Sequence, residues 1–380
     1  MNTAHSLQHG AIVTLQGKVL TEQGWIGGSL RFRERIDSIE GGSVDPAVGE
    51  ADYILPGFID LHVHGGGGRD IMEGSDAAQV VARMHAAHGT TSLLATTMTA
   101  PISELEAALA AIGQACTSRQ SGAARMLGVH LEGPYLNPGK LGAQPDFAQA
   151  ANIAEVERLG LLAPLKLITV APEMAGHLAF VRALADAGLR VNIGHTLGTY
   201  EDGVAALRHG ASGFTHLFNA MSAFHHRAPG MAGAALAHAE YAELIPDLLH
   251  VHPGAIRAAL RAIPRLYCVT DSTAAAGMPD GAYMLGRQSV HKCLGGVRLA
   301  DGTLAGSTLT MDQALRNLVG LGLDLADAAR RVSTYAADYL GLRERGRLAP
   351  GAFADIVVLD RELNLKAVYV EGEQIAIADV

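Results

Sequence analysis

The run ILPGFIDLHVHGGGG, residues 54–68, decides the fold. It joins a Pro-Gly turn to a short, nearly all-apolar stretch that ends in two histidines and a glycine cluster. A run this short and apolar, bounded by turn residues, reads as a strand buried on both faces. Such strands belong to parallel sheets covered by helices. A helix should follow, and then another strand of the same kind.

Outward from this run the pattern repeats. Apolar runs at 54–64, 90–97, 126–132, 166–171, 190–195, 213–217, 244–250 and 266–271 give eight candidate strands. Between them, 75–88, 103–117, 152–162, 176–187, 199–209 and 253–262 are Ala- and Leu-rich and helix-like, several closed by glycine at Gly89, Gly188 and Gly210. Eight rounds of strand and helix predict an α/β fold, a closed (β/α)8 TIM-type barrel. The sixth connection, 219–242, is irregular and rich in His, Pro and Gly, and reads as a functional loop rather than a helix. After the eighth strand, 311–320, 324–332 and 334–340 look helical, and RGRLAPGAFADIVVLD (345–360) turns back to strand.

The first 53 residues are also strand-like, with hairpin patterns at 17–25 and 29–42. Neither terminal piece is large enough for a core of its own. The expected organisation is a small discontinuous β-sandwich domain, built from 1–53 and 346–380, interrupted by a barrel at 54–345.

Composition narrows the function. The chain has 380 residues, 49% hydrophobic and 18% charged, which suffices for a large core. Lys and Arg total 29 against 38 Asp and Glu, a net charge of −9, with no basic cluster, so nucleic acid is not an expected partner. Three cysteines, Cys116, Cys268 and Cys293, form no CxxC pair, which argues against a disulfide scaffold or thiolate zinc finger and fits a reducing cytoplasm. No stretch approaches the roughly 18 apolar residues of a membrane span. Residues 1–18 lack an export pattern. A soluble cytoplasmic protein is expected.

The 17 histidines point to the chemistry. His62 and His64 lie two apart and share one face of an extended strand. Later strand ends bring Glu132, His195, His216, His250 and Asp271. In a barrel of this type all meet at the C-terminal rim, where active sites are built, and imidazoles with carboxylates are ligands for Zn²⁺ or a related divalent metal. Taken singly, each histidine has an ordinary structural reading. Taken together they do not, because Glu132 between Leu131 and Gly133 would be a costly buried carboxylate without a positive partner. His130 lies earlier in its strand and reads as a core residue.

Asp271 is a lone carboxylate at the end of the last strand, placed to take a proton from an attacking water and return it to a leaving amine. Its structural alternative is a cap on the turn DSTAAAG. GGGG at 65–68 lacks the GK[ST] of a phosphate-cradling loop and reads as a flexible connection. HHRAPG, with His225, His226 and Arg227, offers permanent positive charge suited to a phosphate, or is a solvated loop. GSTLTMDQAL, 306–315, offers backbone N–H groups to a polar substrate, or is an ordinary helix start.

PGFIDLHVHGGGG, GVHLEGPYLNPGKLGAQ, VNIGHT, THLFNAMSAFHHRAPG, VTDSTAAAG and GSTLTM, in this order, resemble the N-acetylglucosamine-6-phosphate deacetylases of the amidohydrolase superfamily. The resemblance runs through almost the whole chain, to GAFADIVVLD at 351–360. It implies a divalent metal, most simply Zn²⁺ with Fe²⁺, Mn²⁺ or Co²⁺ as alternatives, held by Glu132, His195 and His216, with Asp271 as catalytic acid and base. It implies contacts to a phosphorylated amino sugar from Ala143, Asn219, Ala220, His250, Gly306 and Ser307. It also implies a homodimer in which Arg227 reaches the neighbouring site. His62 and His64 are retained, which leaves room for a second metal. The fourth strand ends in TVAPE rather than a lysine, which weakens hydantoinase-like and dihydroorotase-like readings. One departure concerns Gln144, where the family commonly has His. Rival readings are a deacetylase of N-acetylgalactosamine 6-phosphate, a hydrolase of another N-acyl amide, and a non-catalytic barrel.

Overall fold

In a computed structural model that describes residues 11–377, the eight barrel strands are Phe58–Val63, Thr90–Thr97, Arg125–Glu132, Leu165–Val170, Arg190–Ile193, Gly213–Phe214, Tyr241–Leu244 and Arg265–Cys268. The first six form one parallel sheet in sequence order and the last two pair in parallel. Backbone hydrogen bonds close the two seams. Leu217 N donates to Glu243 O at 2.9 Å, and Asp271 N donates to His62 O at 2.9 Å. Every residue of Thr90–Thr97 is buried, as expected of a strand with helices outside and barrel interior within. Each fully buried Leu, Ile or Phe in this core contributes about 1.5–3 kcal/mol.

The run 54–64 is two strands, not one. Tyr53–Pro56 belongs to the terminal sheet and Phe58–Val63 to the barrel, with Gly57 as the joint. A Cβ there would sit 2.3 Å from the Thr91 side chain, so only glycine lets the chain pass. The seventh strand also differs from expectation. It ends at Leu244, and 245–252 is a loop, so His250 is carried by a loop and not by a strand end. The sixth connection holds a regular helix, Gly230–His238, after an irregular stretch. The sequence pattern missed a three-stranded insertion, Gly281–Leu285, Gln288–Cys293 and Gly296–Arg298, packed through Leu285, Val290 and Val297 against Met98 and Ala275. The helices Met311–Gly320, Leu325–Arg331 and Thr334–Leu340 stand where the sequence places them.

The chain ends meet in one seven-stranded sheet, with Ile356–Leu359 beside Tyr53–Pro56, Val13–Thr21 next to it, and Gly24–Phe32 and Ile36–Ser43 beyond. Period-2 alternation divides its side chains. Ile54, Ile356 and Val358 join Val19, Leu30 and Phe32 in a core of the sheet's own, while Leu55, Val357 and Leu359 face the barrel. Residues 1–10 and 378–380 of the expected terminal domain, including most of the 1–18 segment read for export signals, lie outside the described residues. An ionic cluster ties sheet to barrel: Glu371 accepts from Arg125 at 2.7 Å and pairs with Arg345, which also pairs with buried Asp355. No helix among the described residues is long and apolar enough to cross a membrane.

Candidate metal centre and active site

His62 and His64 leave the first strand on one face, with Nε2 atoms 3.2 Å apart. His62 Nδ1 donates to Glu243 Oε2 at 2.9 Å and His64 Nδ1 to the Thr96 carbonyl at 3.1 Å. Both acceptors can only accept, so each Nδ1 carries a proton, and each Nε2, turned toward its neighbour and toward the carboxylates, is left to hold either a second proton or a cation.

The second pair repeats the device. His195 Nδ1 donates to Lys140 O at 3.1 Å and His216 Nδ1 to Asn219 O at 3.2 Å. Their Nε2 atoms stand 3.1 Å apart, and each is 3.1 Å from Glu132 Oε1. Donors bound about 2.0–2.1 Å from a tetrahedral ion stand about 3.3–3.4 Å from one another, so this trio has the spacing of a metal site. Lone pairs this close repel unless a cation or proton lies between them. Glu132, His195 and His216 therefore fit a divalent metal, as do His62, His64 and Glu132. Glu132 serves both groups, because its Oε2 lies 3.1 Å from His64 Nε2 and 3.4 Å from His62 Nε2.

The backbone is bent to aim these groups. His195, His216 and Asp271 all adopt positive φ, at 48°, 29° and 51°. That region is sparsely populated by side-chain-bearing residues and persists where the surroundings enforce it, commonly at functional sites. The short strands ending at Ile193, Phe214 and Cys268 leave these residues outside the ladder, free to turn inward.

Asp271 Oδ1 lies 3.3 Å from His64 Nε2 and 3.4 Å from His62 Nε2, so it faces the imidazoles and does not cap the turn after it. Burial opposes charge throughout the cluster, and mutual attraction outweighs it. Glu132 is held well below the usual carboxylate range by His62 and by hydrogen bonds from His195 and His216. Asp271 is lowered by the charge of His62 and the hydrogen bond from His64. In turn Glu132, Glu243 and Asp271 raise His62, and Asp271 and Glu132 raise His64 to about 9. The acidic oxygens thus draw positive charge into the centre, as a cation site must. His130, by contrast, is pushed by burial down to about 4 and bonds Leu61 O and Thr169 Oγ1, in keeping with a core role.

Above the centre opens a cavity of about 420 Å³. Ala143, Asn219, Ala220, His250 and Gly306 line it. Lys140 is the one Lys or Arg among the residues lining it. Ser307 does not line it. Its hydroxyl donates to Thr270 O at 2.5 Å and its N–H to Asp271 O at 2.7 Å, so it braces the eighth strand end. Arg227 is exposed beside His226, away from its own chain's cavity.

Two supporting residues, Glu243 and Asp247, escaped the sequence reading, and a third, Gln144, stood out there only as a departure from the family pattern. Glu243 is fully buried, accepting from His62, from Asn192 at 3.0 Å and from His216 N at 3.2 Å. Its signal was a carboxylate within the apolar strand YAEL. Asp247 accepts from His250 Nδ1 at 2.7 Å, which leaves His250 Nε2 as an acceptor. Gln144 bonds Glu132, a contact that no spacing rule reveals.

The amidohydrolase family profile matches residues 53–375. The chain is 40% identical over 366 residues to an N-acetylgalactosamine-6-phosphate deacetylase of Escherichia coli O157:H7, covering 94% of this chain and 97% of that one. It is 40% identical over 330 residues to an N-acetylglucosamine-6-phosphate deacetylase of Lysinibacillus sphaericus, covering 85% of each. Among solved structures it is similar to an aspartate-to-alanine mutant of the N-acetyl-D-glucosamine-6-phosphate deacetylase of Mycobacterium smegmatis in complex with N-acetyl-D-glucosamine-6-phosphate. There the TM-score is 0.89 at 33% identity, covering 97% of this chain and 100% of that one.

Proposed function

The chain belongs to the amidohydrolase family, and from that premise we propose that it hydrolyses the acetamide of N-acetylglucosamine 6-phosphate to glucosamine 6-phosphate and acetate. The observation that carries this reading is the convergence of Glu132, two histidine pairs and Asp271 at the floor of one cavity. Glu132, His195 and His216 would hold a divalent cation, with His62 and His64 available to a second, and such a cation would supply Lewis acidity toward the acetamide carbonyl and acidify water. Zn²⁺ suits the nitrogen and carboxylate donors, as do Fe²⁺, Mn²⁺ and Co²⁺.

Asp271, held as a carboxylate by its imidazole neighbours, takes a proton from the attacking water. The water oxygen bonds to the carbonyl carbon, the C–N bond breaks, and Asp271 returns the proton to the departing nitrogen. The products are a free amine and acetate. His250, its Nδ1–H committed to Asp247, presents Nε2 as an acceptor for a sugar hydroxyl. Lys140 gives the cavity wall a positive charge that favours a phosphate, and in our reading Arg227 of a second copy completes that site in a homodimer. Three free cysteines suit a cytoplasmic location.

The test is acetate release from N-acetylglucosamine 6-phosphate, its galactosamine epimer and the unphosphorylated sugar, with and without chelator. Chelator-sensitive release, fastest with the glucosamine phosphate, supports the reading. Faster release from the epimer would reassign the substrate, and equal turnover of the unphosphorylated sugar would remove the phosphate site.

A further inference from the structure

Gln144 is buried at 5% exposure in the wall of the cavity, and its amide is committed on both sides. Its Oε1 accepts the Thr99 backbone N–H at 2.7 Å. A backbone N–H can only donate, so this contact settles which way the amide faces. Nε2 must then be the atom that lies 2.7 Å from Glu132 Oε2, and it donates there. The backbone is pinned as well: Gln144 N donates to Leu141 O at 2.9 Å, across a turn with Gly142 at φ 58°. One side chain thus ties together the loop after the second strand, the end of the third strand and the wall of the cavity.

The oxygen that Gln144 holds is the one facing His62 and His64. Glu132 Oε1 is committed to His195 and His216, and Oε2 lies 3.1–3.4 Å from the Nε2 atoms of His64 and His62. A carboxylate turns readily about its last bond, and both oxygens could swing toward one cation. That would leave the first-strand pair with two nitrogens and the Asp271 carboxylate alone. The Gln144 N–H occupies one lone pair of Oε2 and leaves another for a cation, which fixes the bridging orientation.

We propose that Gln144 is a positioning residue that holds Glu132 between the two histidine pairs and thereby sets the affinity of the second cation site. The proposal rests on the two-cation reading above. It does not depend on which sugar is the substrate. Outer hydrogen bonds of this kind are typically worth about 10–100-fold in metal affinity.

The experiment is metal titration of the chelated full-length protein with Zn²⁺, with stoichiometry measured after dialysis and Co²⁺ absorption bands followed in parallel. The wild type is expected to bind two cations. Gln144→Met, close in size but unable to donate, should keep the tighter site and weaken the other about 10–100-fold, with loss of the Co²⁺ bands of that site only. Gln144→Asn keeps the amide but cannot span from Thr99 to Glu132, and should show the same split. The retained tight site and unfolding of the chelated variants check that the fold is intact. Two cations bound by Gln144→Met as tightly as by wild type would overturn the proposal, and so would equal weakening of both sites. A wild type that binds a single cation would overturn both this role and the two-cation reading, while leaving acetate release untouched.

Discussion

His62 Nδ1 and Glu243 Oε2 meet at 2.9 Å in the sealed interior of the barrel, joining the end of the first strand to the seventh. Glu243 also accepts from Asn192 and from the His216 backbone, so one carboxylate orients parts of both histidine pairs. Glu243→Ala should therefore weaken cation binding by about 10–100-fold. It should also destabilise the fold by about 1–3 kcal/mol for each buried donor left unpaired. Metal titration and denaturant unfolding check the two effects separately, and unchanged cation affinity would mean that His62 is no ligand.

Asp271 bears on turnover more than on binding. Asp271→Asn keeps the shape but cannot take a proton at neutral pH. Turnover is expected to fall on the order of 10²–10⁴-fold while bound metal and KM change little. Near-normal kcat would remove the acid-base role.

Cation binding should stabilise the folded chain, because unfolding scatters donors contributed by four strand ends. A cation at 100 times its dissociation constant adds about 2.7 kcal/mol. The melting temperature should accordingly rise with added Zn²⁺ after chelation. A melting temperature indifferent to the ion would count against the centre.

Stability in acid should report on Glu371. Its carboxyl is pushed up by burial but held down to about 2, from 4.5, by Arg125 and Arg345. A depressed carboxylate contributes stability that is fully present above its unfolded value and is lost as pH falls through the folded one. The contribution should thus fade between about pH 4.5 and about pH 2. Melting curves of chelated wild type and Glu371→Gln are expected to converge over that window and to differ above it.

Arg227 is testable in a mixture of subunits. If it serves a partner's site, Arg227→Ala and Asp271→Asn proteins, each weak alone, should recover up to about a quarter of wild-type activity when co-assembled, because half the dimers then carry one intact site. No recovery in a verified heterodimer would place Arg227 on its own chain's site or on none.

Much of the fold was legible because a buried parallel strand has a plain signature. Runs such as 90–97 and 126–132 are short, apolar and followed by helix, and the structure places strands within a residue of them. Where pairing is thin the signal failed. The pattern puts the seventh strand at 244–250 because LIPDLLH is apolar enough to look extended, yet the strand is Tyr241–Leu244 and shares only Leu244 with that run. The insertion at 281–298 was missed because its strands are half exposed and packed by only a few side chains.

By itself the sequence determined which groups meet at the rim, because strand direction and period-2 parity carry His62, His64, Glu132, His195, His216 and Asp271 to one end of any barrel drawn from it. Only the tertiary structure decided how those groups face one another. The tautomers depend on the carbonyls of Thr96, Lys140 and Asn219, the bridging pose of Glu132 on Gln144, and the aim of His62 on Glu243. Each is a hydrogen bond between residues brought together by folding. Its strength depends on ångströms and angles, which residue types and spacing do not specify.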